Sequence, residues 1–126
     1  MAMVRRKSAG SKVPVLYKIM SRQEWETARA QGIYEGSDAD RRDGFIHLSA
    51  AHQVRATAQK HFSGKAGLLL VSVAEEVLGQ NLKWEVSRGG DLFPHIYGAL
   101  PLSAVSQVIP LPLMNGTHQF PEGLPP

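Results

Sequence analysis

Two short segments of this 126-residue chain carry the residue types that do chemistry. In the first, Asp43-Gly44-Phe45-Ile46-His47-Leu48-Ser49, a strand ending in His and Ser runs directly into a helix. An imidazole and a hydroxyl then stand at the carboxyl end of the strand, beside the free N–H groups of a helix start, where an anion is favoured. The second segment is Trp84-Glu85-Val86-Ser87 followed by Asp91-Leu92-Phe93-Pro94-His95-Ile96-Tyr97-Gly98. Connectors are normally polar. A loop dense in Phe93, His95 and Tyr97 therefore suits stacking of a planar ligand, with His95 or Tyr97 as its polar handle. Glu85 alternates with Trp84 along a strand, so a buried Trp84 turns Glu85 outward, to solvent or into a cleft. Each segment also has a plainer explanation. Ser49 caps the helix while His47 bonds a carbonyl in the core, and the aromatic loop is a lid over that core. The residues alone leave both open.

Other constellations are weaker. His47, His95 and either Glu85 or Asp91 form a formal zinc or iron set, but no two of these ligands pair within one helix, and no metal site is expected. Asp38, Asp40 and Asp43 resemble a calcium loop only superficially. The third carboxylate is off register, Gly44 comes one place late, and Ser49 stands where a bidentate Glu belongs; a solvated acidic loop is the expectation. Neither glycine-rich phosphate signature occurs, nor does a Ser between paired glycines or a His-Glu-x-x-His helix. With no cysteine, disulfides, thiolate zinc and a catalytic thiol are excluded together. His52, His61 and His118 follow no pattern and read as surface residues.

The elements that must hold these residues follow from periodicity and caps. Residues 15–20 read as a strand. Ser21 and Glu24 form a capping box for a helix reaching about Ala30, with Trp25 and Ala28 on its inner stripe and Gly32 as its stop. Residues 33–44 are polar and turn-rich. A short strand at 45–48 leads to a second helix over 50–62, N-capped by Ser49, with Val54, Ala58 and Phe62 recurring every four residues. Residues 68–73 form a central strand, and 74–78 one helical turn. Leu82, Trp84 and Val86 make the buried face of another strand, 88–98 an irregular loop, and 105–111 the closing strand. Two helices in the first half and several strands after them give an α+β fold.

The length suits one domain, spanning 13–113, between a flexible basic tail at 1–12 and a loose C-terminal segment at 114–126. Net charge is +3, but Arg5, Arg6, Lys7 and Lys12 all lie in the tail. The rest is nearly balanced, so nucleic acid is not an expected partner of the folded core. No apolar run approaches the length needed to cross a bilayer. A cytoplasmic monomer is expected.

Tyr17-Lys18-Ile19, Trp25, Gly32-Ile33-Tyr34, the Asp43 to Ser49 motif, Trp84-Glu85 and the Phe93 to Gly98 motif together resemble the bacterial and plant family catalogued as domain of unknown function 952. The likeness spans about residues 15–111. It implies the ADP-ribosyltransferase-like fold with which that family is grouped, in which NAD binds a cleft between two small sheets. A further similarity is to RNA 2′-phosphotransferases of that fold. Leu16-Tyr17 resembles the opening strand of their ADP-ribose-binding half, and Ile46-His47-Leu48-Ser49 resembles a later strand end. This implies that His47 and Ser49 contact ribose or phosphate of an NAD- or ADP-ribose-like ligand, with Tyr17, Phe93, Tyr97 and Trp84 lining its site. His95 would be acid, base or donor, and Glu85 would stabilise charge at the ribose carbon.

The chain departs from those enzymes in three places. Lys18-Ile19-Met20 replaces their His-Gly-Thr, their RNA-binding domain is missing, and Lys83-Trp84-Glu85 only loosely matches the glutamate strand of mono-ADP-ribosyltransferases. A nucleotide pocket thus follows more directly than transferase activity. The alternatives are a binding module for a small molecule or peptide without chemistry, and a His-dependent hydrolase or metal enzyme. The chain is too short for the two-domain architecture of a glutathione transferase.

Overall fold

A computed structural model describes residues 14–124; the basic tail lies outside them. Two three-stranded antiparallel sheets carry the architecture. The first has β1 (Val15–Ser21), β4 (Leu68–Ala74) and β8 (Val105–Leu111) in the order β1-β4-β8. The second has β3 (Ile46–His47), β6 (Leu92–Ile96) and β5 (Leu82–Val86) in the order β3-β6-β5. Two-stranded ribbons join β2 (Ile33–Tyr34) to β7 (Leu100–Pro101) and β9 (Leu113–Met114) to β10 (Thr117–His118). The helices are α1 (Arg22–Gln31), α2 (Asp38–Asp43), α3 (Ala51–His61) and the single turn α4 (Glu75–Leu78). No helix among the described residues is long and apolar enough to cross a membrane.

The uninterrupted apolar run of β4 reflects burial on both faces. Leu69, Val71 and Val73 join one core with Leu16, Met20, Ile46, Ile96 and Leu100, whereas Leu68 and Leu70 join another with Ile19, Val54, Ala58 and Leu111. Alternation thus divides a single strand between two cores. α1 begins and ends as its sequence dictates. Ser21 Oγ accepts from the Glu24 N–H at 3.0 Å, the Glu24 carboxylate accepts from the Ser21 N–H at 2.8 Å, and Gly32 closes the helix at φ +82.

Five expectations are corrected. The stretch from Ser37 to Gly44 contains α2, opened by a capping box in which Asp40 does what Glu usually does. Residues 92–96 are the central strand of the second sheet rather than part of a loop. Their Pro94 is tolerated because it lies opposite Leu48, where β3 ends. Pro94 accepts the Leu48 N–H at 2.9 Å and has no N–H to return, so the ladder stops there. β5 turns Leu82 inward, but Trp84 and Val86 are 40% and 69% exposed, because this edge strand runs past the core. The C-terminal segment is docked: Asn115 and Gly116, both at positive φ, turn β9 into β10, and Phe120 and Leu124 pack on the second core. His118, expected at the surface, is buried, with Nε2 donating to the Lys65 carbonyl at 2.7 Å.

Gly36 admits no side chain. Its φ is +108, and a Cβ would stand 2.8 Å from the Asp40 Cβ. Gly36→Ala is expected to lower the unfolding free energy by about 2 kcal/mol or more, read from urea denaturation, through left-handed strain plus the displaced Asp40.

Candidate functional site

Asp40 organises the site. Although it stands in an acidic, turn-rich stretch, it is 2% exposed. Its Oδ2 accepts from Lys18 Nζ at 2.8 Å and from the Ser37 N–H at 2.9 Å. Its Oδ1 accepts from the His47 N–H at 3.1 Å and meets His47 Nδ1 at 2.6 Å. The solvated acidic loop is therefore replaced by a buried carboxylate with every oxygen engaged. Burial pushes its carboxyl up, but the hydrogen bond from His47, the charge and hydrogen bond of Lys18 and the Ser37 N–H outweigh that, and the group is held well below the usual carboxylate range.

His47 is the hub's second member. Its Nε2 lies 3.0 Å from Asp43 Oδ2, so both ring nitrogens face carboxylate oxygens. Lys18 also donates to the His47 carbonyl at 3.0 Å, tying β1 to β3.

β6 supplies the third part. His47 and His95 are directly opposed across the β3–β6 ladder, and their ring centroids are 5.4 Å apart, edge to face. His95 is 3% exposed, its ring stacked on Phe45 at 4.1 Å. Its Nδ1 donates to Glu85 Oε1 at 2.7 Å, and Tyr97 donates to both Glu85 oxygens at 2.9 and 3.0 Å. Those bonds, from His95 and then Tyr97, hold the Glu85 carboxyl below its usual range, while Glu85 pushes the Tyr97 hydroxyl up. A proton fixed on Nδ1 leaves the neutral ring's Nε2 as an acceptor, and no described residue makes a hydrogen bond to it. His95 lines an open cleft of about 1010 Å³, whose walls come from β1, α1, α2, α3 and the segment before α2.

The chain matches the family described as "Protein of unknown function (DUF952)" over residues 19–108. It belongs to that family. The crystal structure of CC0527 from Caulobacter crescentus, 52% identical, superposes with a TM-score of 0.81, covering 83% of this chain and 93% of that one. The solution structure of CC0527, at 51% identity, gives 0.74 over 82% and 90%. A comparison with curated proteins gives no match.

For this DUF952 domain the sequence-derived site residues divide into three groups. His47, His95, Ser49, Tyr17 and Phe93 all line the cleft. Ser49 is not the helix cap: Gln53 Oε1 accepts from the Ala50 N–H at 3.0 Å, while Ser49 Oγ sits 3.0 Å from Thr57 Oγ1. Ser49 also exchanges both backbone hydrogen bonds with Tyr17, at 2.8 and 2.9 Å, and so fastens the start of α3 to β1. Glu85 and Tyr97 line no part of the cleft and reach it through His95. Trp84 stands on the opposite face of its strand from Glu85 and apart from the cleft. Among the described residues no group of three or more His, Asp or Glu side chains could hold a metal ion.

Sequence reasoning missed Lys18, Asp40 and Phe45. A lysine at the centre of a strand otherwise full of buried residues was the available signal, because such a charge needs a buried partner.

Lys18→Met is expected to cost about 3 kcal/mol in urea denaturation, since it strips a buried carboxylate of its cation. The Asp40 contribution also has a defined pH window. Its folded value lies below the ordinary 3.8, so the stabilisation is complete above about pH 4 and disappears as pH falls through the folded value. The stability gap between the parent protein and Asp40→Asn is expected to narrow steadily below pH 4 and to stay constant at neutral pH.

Proposed function

We propose that the cleft takes a nucleotide of the NAD or ADP-ribose kind, with His95 as the group that meets it. One observation carries this reading: two opposed imidazoles, each steered by a carboxylate, stand together at a cleft of about 1010 Å³. That size is at the upper end of small-molecule sites. The lining supports it further. Tyr17 and Phe93 offer ring surface, while Lys18, Arg41, Arg42 and Lys65 stand among Asp and Glu side chains, a mixture suited to sugar hydroxyls and phosphates together. The α+β architecture of small antiparallel sheets is compatible with the ADP-ribosyltransferase-like grouping implied by the sequence resemblance.

The two histidines differ in role. His47 has both nitrogens against carboxylates and contributes rigidity. Among the described residues nothing bonds His95 Nε2, and Glu85 is the positioning residue that sets the ring's tautomer. In hydrolysis of a nicotinamide–ribose bond, water would add at the ribose carbon, nicotinamide would leave, and His95 Nε2 would take the proton from water. The engagement of His47 also favours a second reading, recognition without chemistry, because it leaves one histidine where acid–base work commonly uses two groups.

Titration with NAD and ADP-ribose tests both. A ligand present at 100 times its dissociation constant raises the unfolding free energy by about 2.7 kcal/mol. His95→Ala is expected to weaken that binding at least about tenfold, or 1.4 kcal/mol; because it also removes a buried, stacked ring it lowers the thermal midpoint of the free protein, so the affinity is read where the variant is folded. Undiminished affinity in that variant overturns the assignment. Nicotinamide released from NAD over many turnovers selects the catalytic reading, and saturable binding without release selects the other.

A further inference from the structure

β5 is the free edge of the second sheet. Its hydrogen bonding alternates. The Tyr97 N–H donates to the Asn81 carbonyl and the Ser87 N–H to the Asp91 carbonyl, each at 2.9 Å, so the odd-numbered residues between them point their backbone groups at β6. Leu82, Trp84 and Val86 therefore direct theirs outward. The Leu82 N–H is used locally, by the Gly79 carbonyl. Among the described residues the Trp84 and Val86 N–H groups have no partner.

This edge is protected only by Lys83 and Glu85, one charge of each sign. β5 has no proline and no bulge, and the face it shares with Leu92 is apolar. Val86 lies directly opposite Leu92, and with Trp84 they are 69%, 51% and 40% exposed. The order of side chains is also self-complementary. Leu82-Lys83-Trp84-Glu85-Val86 reads apolar, cation, aromatic, anion, apolar, symmetric about Trp84 except that the charges are opposite. A second β5 laid antiparallel across a two-fold axis through Trp84 meets each requirement. Trp84 faces Trp84, Leu82 faces Val86, and Lys83 of each copy faces Glu85 of the other.

The backbone agrees with the side chains. Trp84 and Val86, whose N–H groups point outward, fall at hydrogen-bonded pairs of the new ladder. Lys83 and Glu85 fall at the non-bonded pairs, where opposed side chains approach most closely.

We infer that two copies of this chain associate along β5, antiparallel about Trp84, with Lys83 of each against Glu85 of the other. The result is a continuous six-stranded sheet with a closed, isologous interface. It replaces the monomer expected from composition and does not depend on the nucleotide reading. It also adds a cation beside the carboxylate that holds His95 at 2.7 Å, so association and the orientation of that ring are linked.

Sedimentation of the full chain, from micromolar to millimolar protein, tests this with two charge reversals. The parent protein is expected to dimerise. Lys83→Glu alone and Glu85→Lys alone place like charges opposite each other twice, and each is expected to associate at least about tenfold more weakly. An equimolar mixture of the two variants restores both attractive pairs and is expected to form heterodimers at parent-like affinity, which also shows that both variants fold. A parent protein that stays monomeric throughout overturns the inference, leaving the edge for a different polypeptide. Variants that dimerise as well as the parent, or a mixture that does not associate, overturn it equally.

Discussion

A buried carboxylate with its oxygens fully engaged is the constraint from which the rest of this domain is arranged. Asp40 can be buried only because Lys18 reaches it with charge and the His47 ring and the Ser37 and His47 N–H groups reach it with hydrogen bonds. Those donors come from β1, the cap of α2 and β3. One side chain thus fixes three elements relative to one another. The glycine at position 36 follows from the same need, since the backbone must pass close against Asp40 for Ser37 to cap α2.

The carboxylates set a division of labour between the histidines. Two acidic groups on one imidazole hold it rigidly, whereas one acidic group on the other leaves its second nitrogen without a carboxylate partner. The same residue type therefore stands locked between two carboxylates in β3 and turned to the cleft on one carboxylate in β6. Phe45 adds to this by stacking on His95 and tilting against His47, so that neither ring turns freely.

Much of the scaffold was legible in the sequence, and for physical reasons. α1 has both caps in its own residues, α3 repeats Val54, Ala58 and Phe62 every four positions, and β4 is an apolar run because both its faces are buried. The misses share a cause as well. Lys18 and Asp40 are 22 residues apart, and a buried ion pair at that distance leaves no local pattern. Alternation in β5 separates two faces without saying which one is inward, so Trp84 was assigned to the wrong side. In β6 the density of Phe, Pro, His and Tyr resembles a loop until Pro94 is seen to face the end of β3, where no N–H is required. His47 and His95 were named from their motifs, but their adjacency depends on the β3–β6 register, which no local signal specifies.

That register has a kinetic meaning. Lys18, Asp40 and His47 belong to the first half of the chain, and Glu85, His95 and Tyr97 to one local hairpin. The two groups are joined through the two-residue ladder of β3 on β6. Hairpins form in microseconds, whereas closing the chain between residues 47 and 95 carries the entropy of a long loop. The two histidines thus become neighbours only through a non-local contact, which costs more chain entropy than the hairpin itself. Either half alone leaves the imidazoles apart, so the opposed pair at the cleft exists only where the β3–β6 ladder is formed.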